Sequence, residues 1–238
     1  MKKISTLLVI GLLVIAGNSA YAGLFGEDGS GDVITKDATL KGSFNKVALK
    51  GSGNIFVTQG DSESLKIETD DNLMDKILYE VEGSTLLIGT KSNISPTKLN
   101  FYVTLKDAEG FKVTGSGDVK LQNTIRADKL ALVIQGSGDV KGEVDCTNLK
   151  CEVSGSGDIE VSGKADNTKI EISGSGDVDA GDLKTNWCEI GIFGSGDCMV
   201  DVKDELYVDI FGSGDVVYAG DPPTKEIDVK GSGDVKRK

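Results

Sequence analysis

From residue 111 onward, apolar and polar residues alternate, and the alternation restarts on a fixed beat. Counted from a recurring glycine, positions −4 and −2 hold Phe111/Val113, Leu132/Ile134, Cys151/Val153, Ile170/Ile172, Ile190/Ile192, Val208/Ile210 and Ile227/Val229. Position +4 holds Val119, Val140, Ile159, Val178, Cys198, Val216 and Val235. An apolar spacing of two turns one face of a strand inward, and the β-branched residues at most inward positions favour strand over helix. The predicted unit is therefore strand, glycine corner, strand.

The beat is a tetrapeptide. Gly-Ser-Gly-Asp begins at Gly29, Gly115, Gly136, Gly155, Gly174, Gly194, Gly212 and Gly231, and Gly51-Ser52-Gly53-Asn54 is a near copy. From Gly115 the steps are 21, 19, 19, 20, 18 and 19 residues, while the 64 residues from Gly51 to Gly115 read as three periods with two signatures worn away. Both glycines of a signature share the inward parity. The pairs Gly115/Gly117, Gly136/Gly138, Gly155/Gly157, Gly174/Gly176, Gly194/Gly196 and Gly212/Gly214 are thus expected as structural corners, where the wall leaves no room for a Cβ. Ser and Asp then point outward or cap the bend. One such unit buries too little to fold alone, so the units are expected to stack as a parallel β-solenoid with coils of about 19 residues. Ten coils would make a rod on the order of 48 Å long. The rival is an antiparallel sandwich, whose hairpin turns have no need to keep one tetrapeptide in phase.

Residues 58–110 are less regular, yet Leu65/Ile67, Tyr79/Val81, Leu86/Ile88 and Leu99/Phe101/Val103/Leu105 still alternate, so this stretch is expected to continue the wall with looser coils. Residues 70–76 fit a single helical turn, and residues 93–98, with Pro96, fit a protruding loop. Before all of this, Lys2 and Lys3, an apolar run over residues 7–16 and Ala20-Tyr21-Ala22 match a secretory leader cleaved before Gly23. The expected organisation is a signal peptide at 1–22, irregular N-terminal coils at 23–110 and regular coils at 111–238. The leader's run is shorter than the roughly 20 residues that span a bilayer, and no transmembrane segment is expected after its removal.

Composition narrows the chemistry. The chain has 238 residues, no His and a formal charge of −12, and it falls near −14 once Lys2 and Lys3 are gone. Serine or cysteine catalysis through histidine is excluded, and the acidity argues against nucleic acid as a partner. Asp118, Asp139, Asp158, Asp177, Asp197, Asp215 and Asp234 should form a ladder one coil apart. Neighbouring charges there repel by roughly 0.9 kcal/mol in water, an amount hydrogen bonding offsets without any ion. The Gly-Gly-x-Gly-x-Asp pattern of calcium-binding rolls is missing, so no metal and no cofactor are implied. For the cysteines, pairing Cys146 with Cys151 and Cys188 with Cys198 is the preferred arrangement, with four free thiols as the alternative. A polysaccharide-processing enzyme is the competing class, but the only arginines are Arg126 and Arg237 and no carboxylate pair stands apart. Glu152, Glu160, Glu171 and Glu189 look like a solvated face.

Strands ending in Gly-Ser-Gly-Asp-Val at this spacing, behind a leader and a less regular segment containing Leu65-Lys66-Ile67-Glu68-Thr69, resemble the bacterial putative auto-transporter adhesin head, or GIN, domain family. The likeness runs over residues 29–238. It implies an all-β, right-handed parallel β-helix exported to the Gram-negative envelope, in the periplasm, on the outer-membrane surface or outside the cell. It also implies an adhesin-like role without catalysis, and it carries over no catalytic residue. The alternative is a structural or assembly protein of the envelope. The partner is expected to be a protein or glycan of the envelope, or a second copy of the chain. One feature of the sequence itself points to contact: position −1 changes from Thr114, Gln135, Ser154 and Ser173 to Phe193 and Phe211, with Trp187 and Tyr207 at outward parity nearby. These four form the candidate interface, unless residues 220–223 fold over the rings as a lid.

Overall fold

The computed structural model describes residues 26–238, so the leader expected at 1–22 lies outside the described residues. Apart from one 3-10 turn at Asp71–Lys76, where a helical turn is expected, the described elements are all strands. Ile125–Gly136, Val140–Gly155, Ile159–Gly174, Val178–Gly194 and Cys198–Gly212 lie parallel on one another in chain order. All pairings from residue 110 onward are parallel, which rules out the sandwich. The chain is therefore a parallel β-solenoid with coils of about 19 residues.

Sheet register follows sequence register. Gly136 faces Gly155, Gly155 faces Gly174 and Gly194 faces Gly212. Steps of 20 and 18 residues are absorbed by irregularities between Glu160 and Gly163 and between Ala180 and Trp187, on the side of the coil away from the signature. The corner column stays in phase because a slip of one residue would turn each inward side chain out. Inward positions −4 and −2 from Phe111 to Ile210, and +4 from Val119 to Val216, are all buried. Each such side chain contributes about 1.5–3 kcal/mol when removed from water, but only because a neighbouring coil covers it.

The N-terminal half departs from the expected order. Gly51 faces Gly115 and Asn54 faces Asp118, so these two coils are direct neighbours. The residues between them are not three further levels. They pass to the other side of the Gly51 coil, where Thr85–Thr90 lies parallel on Lys46–Gly51 and Leu99–Leu105 lies parallel on Asn54–Gln59. Beyond this level the pairing turns antiparallel: Ile77–Glu82 on Thr85–Thr90, Ser64–Asp70 on Leu99–Leu105, and Val33–Asp37 on Ser64–Asp70. The segment thus forms one end of the solenoid, with antiparallel strands outermost. Leu65, Ile67, Leu86, Ile88 and Phe101 are buried as the alternation implies, but alternation is the same in parallel and antiparallel strands.

The signature column has eight levels, from Gly51 through Gly115 to Gly231, and the wall before the corner continues past it through Thr85–Thr90 and the antiparallel Ile77–Glu82 to ten stacked strands. The copy at Gly29 stands outside that column and grips a carboxylate. Asp70 accepts the Gly31 N–H at 2.8 Å and the Thr97 N–H at 2.8 Å, while the Ser30 N–H donates to Asn72 at 3.0 Å. Burial alone would push the Asp70 carboxyl up, but the donors from Gly31, Thr97 and Lys98 outweigh it and leave it below its ordinary value. The expected loop at 93–98 is tied down as well, since Ile94–Ser95 pairs with Glu27–Asp28.

Candidate functional site

The corner forms where two glycine ladders run along the stack. A Cβ on Gly136, Gly155, Gly174, Gly194 or Gly212 would strike the carbonyl oxygen of the first glycine one level below, and one on Gly138, Gly157, Gly176, Gly196 or Gly214 would strike that of the second. Gly115 and Gly117 meet the Gly51 level in the same way. Gly174 also has φ +137°, a conformation that a side chain makes costly. With the coils this close, the N–H of Ser137, Ser156, Ser175, Ser195 and Ser213 each donates to the glycine carbonyl below at 2.8 Å. The aspartates complete the corner. Each carboxylate accepts the backbone N–H of the next level's aspartate, from Asp139 on Asp118 at 3.2 Å to Asp215 on Asp197 at 2.7 Å and Asp234 on Asp215 at 2.8 Å. This is the capping arrangement expected from the sequence, with backbone amides as the counterparts of the negative ladder. Among the described residues no group of three or more Cys, Asp or Glu is placed to hold a metal ion.

The outward face of the strand before the corner carries the aromatic residues. Phe193 is 54% exposed and Phe211 41%, and they face each other across adjacent coils with parallel rings 5.2 Å apart. The Lys230 ammonium sits 4.7 Å over the Phe211 ring and also pairs with Asp228 at 2.5 Å. Trp187 and Tyr207 form a second, tilted pair at 5.8 Å, half-buried, with the Tyr207 hydroxyl donating to Glu205 at 2.7 Å. The four residues thus share one wall as two pairs. Gly191 sits in the gap, and its missing side chain leaves the edge of the Phe193 ring open. Sequence reading passed over both Gly191 and Lys230, although a glycine between Glu171 and Asp209, in a run otherwise acidic from Glu152 to Asp228, was a usable signal.

The surroundings sharpen the contrast. Lys150 bridges Glu152 at 2.9 Å and Glu171 at 3.0 Å, and Lys169 bridges Glu171 at 3.3 Å and Glu189 at 2.9 Å. Hydrogen bonding from Lys150 holds Glu171 below the usual carboxylate range. The acids read as a solvated face are therefore tied across coils, and Glu160 pairs likewise with Lys141 at 2.6 Å. Residues 220–223 do not form a lid on the phenylalanines: Gly220 packs on the Val202 carbonyl, and Asp221 pairs with Arg237 at 3.1 Å. The preferred disulfides also fail to form. All four cysteines are free and buried, Cys146 and Cys151 lying on either side of the bend at 147–148 where inward parity passes from Val144/Cys146 to Leu149/Cys151. Burial pushes the Cys146 thiol up to about 11 and Cys151 to about 12, so both are inert core groups.

Known structures share this architecture. A crystal structure of a putative adhesin from Bacteroides fragilis is 28% identical with a TM-score of 0.85, over 90% of this chain and 100% of that one. A putative lipid binding protein from Parabacteroides distasonis is 26% identical with a TM-score of 0.76, over 89% of this chain and 98% of its own. A putative adhesin from Parabacteroides merdae, 22% identical with a TM-score of 0.72 over 90% and 99% of the two chains, shows the same fold. Among curated proteins none matches the chain. The family model described as putative auto-transporter adhesin, head GIN domain, matches residues 43–222, most of the solenoid, and the chain belongs to that family.

Proposed function

We propose that the chain is an exported, non-catalytic, adhesin-like binding module of the cell envelope, and that it meets a protein or glycan partner through Phe193 and Phe211, flanked by Trp187 and Tyr207. The leader pattern at residues 1–22 supports export to the periplasm or the cell surface, and family membership supports the adhesin-like role. Family membership likewise supports right-handed winding of the coils. The observation that carries the reading is the exposed parallel stack of Phe193 and Phe211 on a wall whose neighbouring columns are ion-paired. Solvated side chains would fold as well at position −1, so two bare rings there gain their value from being covered. With the ring edge open over Gly191 and ammonium and carboxylate groups beside it, the patch suits the apolar face and hydroxyls of a sugar, or an apolar protein anchor.

The test is binding of the exported chain to immobilised envelope glycans and to intact cells, comparing wild type with the double variant Phe193→Ser/Phe211→Ser. Both rings are exposed, so circular dichroism and melting should be nearly unchanged. Apparent affinity should fall at least tenfold, about 1.4 kcal/mol. Unchanged binding by the folded double variant would place the contact elsewhere on the wall.

A further inference from the structure

Among the described residues, each wall of the solenoid ends in an open strand at both extremities. Thr224–Gly231 pairs only inward, with Cys198–Gly212, and Val235–Arg237 only with Val216–Ala219. At the other end Val33–Asp37 pairs only with Ser64–Asp70, and Ile77–Glu82 only with Thr85–Thr90. Four large apolar side chains lie bare on these terminal strands. Ile227 and Val229, at 44% and 36% exposed, occupy inward positions that a following coil would cover, and Val33 and Ile34 are 38% and 41% exposed on the opposite edge. Unpaired edges with apolar side chains are templates for further pairing.

The two ends differ in charge. Residues 224–238 carry five basic side chains against three acidic ones in a chain whose overall charge is −12. At the other end, residues 26–37 carry four acids against one lysine, and residues 71–82 the same. Position −6, filled in earlier coils by Leu130, Leu149, Thr168, Cys188 and Leu206, becomes Lys225, which sets a cation at the end of the core column. Two basic ends repel each other, as do two acidic ends, whereas a basic end fits an acidic one.

We propose that a second copy of this chain docks head to tail, the basic end formed by Thr224–Gly231 and Val235–Arg237 seating on the acidic end formed by Val33–Asp37 and Ile77–Glu82. The contact continues both walls from one copy into the next and covers Ile227 and Val229. Being heterologous, it propagates into a file of rods instead of closing as a dimer. It begins one coil beyond Phe211, whose register partner Lys230 lies on Thr224–Gly231, but it covers the inward Ile227 and Val229 and not the outward rings, so the two contacts are tested separately.

Sedimentation velocity of the exported chain tests this. The wild type should form species larger than a dimer as concentration rises at low salt, and these should dissociate as salt is added. Ile34→Lys blocks the acidic end and Val229→Glu the basic end, both at exposed positions, with melting curves as the control for folding. Each variant alone should remain monomeric, and an equimolar mixture should give a dimer and nothing larger. Ile34→Thr and Val229→Thr serve in their place if either charge unfolds its strand. The Phe193→Ser/Phe211→Ser protein should assemble like the wild type. A wild type that stays monomeric at its highest soluble concentration, a mixture that stays monomeric, or either blocked variant dimerising alone would overturn the head-to-tail contact.

Discussion

A single methyl group at Gly176 should unseat the middle of the solenoid. The Cβ of Gly176→Ala would lie nearly an ångström inside the 3.0 Å limit of real Cβ contacts from the Gly157 carbonyl oxygen, and 2.9 Å from Val153 Cγ1. That oxygen belongs to a backbone bonded above and below, so relief requires lifting one coil off the next. A lift of this size stretches two contacts beyond bonding range: Ser175 N–H to the Gly155 carbonyl and Asp177 N–H to the Asp158 carboxylate, both 2.8 Å. A neutral bond contributes about 1 kcal/mol net and one to a charged acceptor about 1.5, the low end applying because Asp158 is exposed. The expected loss is therefore about 2–3 kcal/mol. Chemical denaturation followed by circular dichroism, paired with calorimetry, measures it against Ser175→Ala, an exposed change expected to stay within about 0.5 kcal/mol. Gly233→Ala meets the Gly214 carbonyl just as closely, but the last coil has one neighbour and can lift away, so it should cost clearly less. If Gly176→Ala unfolds at the wild-type midpoint with unchanged slope, close coil approach is not what the glycines serve.

The corner and the core set the remaining outcomes. The aspartate ladder is occupied by backbone amides, so calorimetric titration of chelated protein with calcium should reveal no tight stoichiometric sites, and micromolar sites would refute the capping assignment. Asp158→Asn keeps an acceptor for the Asp177 N–H and should be nearly neutral, whereas Asp158→Ala should cost about 1.5 kcal/mol in denaturation. The buried thiols titrate above their ordinary value of 9.0, which means the folded state holds protons that the unfolded chain releases. Stability should thus be intact below pH 9.0 and fall with rising pH, by about 1.4 kcal/mol per pH unit for each thiol, until about 11 for Cys146 and about 12 for Cys151. Cys151→Val should flatten the alkaline limb of a melting-temperature profile, and a profile identical to wild type would contradict this. A thiol reagent should find all four cysteines, Cys146, Cys151, Cys188 and Cys198, only after unfolding.

What the sequence determined by itself was the unit and its repetition. Inward columns such as Ile170/Ile172 and Val178, the glycine corners and the outward Ser and Asp were all legible, because strand parity and corner sterics are local and each coil meets a near copy of itself. The same regularity hid the neighbour relations. Nothing in the alternation of Leu65/Ile67 or Leu86/Ile88 tells whether the strand runs with or against its partner, so only the tertiary pairing put the Gly51 coil directly on the Gly115 coil and folded the intervening chain into one end of the solenoid. The signature at Gly29 reads like the others, yet its partner is the buried carboxylate of Asp70, brought in from 39 residues away. The cysteines were ambiguous for a related reason: inward parity is common to a core thiol and half of a disulfide, and only the packing of each coil on its neighbours leaves all four as free, buried thiols. Likewise Phe193 and Phe211 could be placed on the outer face from sequence, but whether residues 220–223 covered them depended on where Gly220 packed. It packs on Val202, and the rings are left bare.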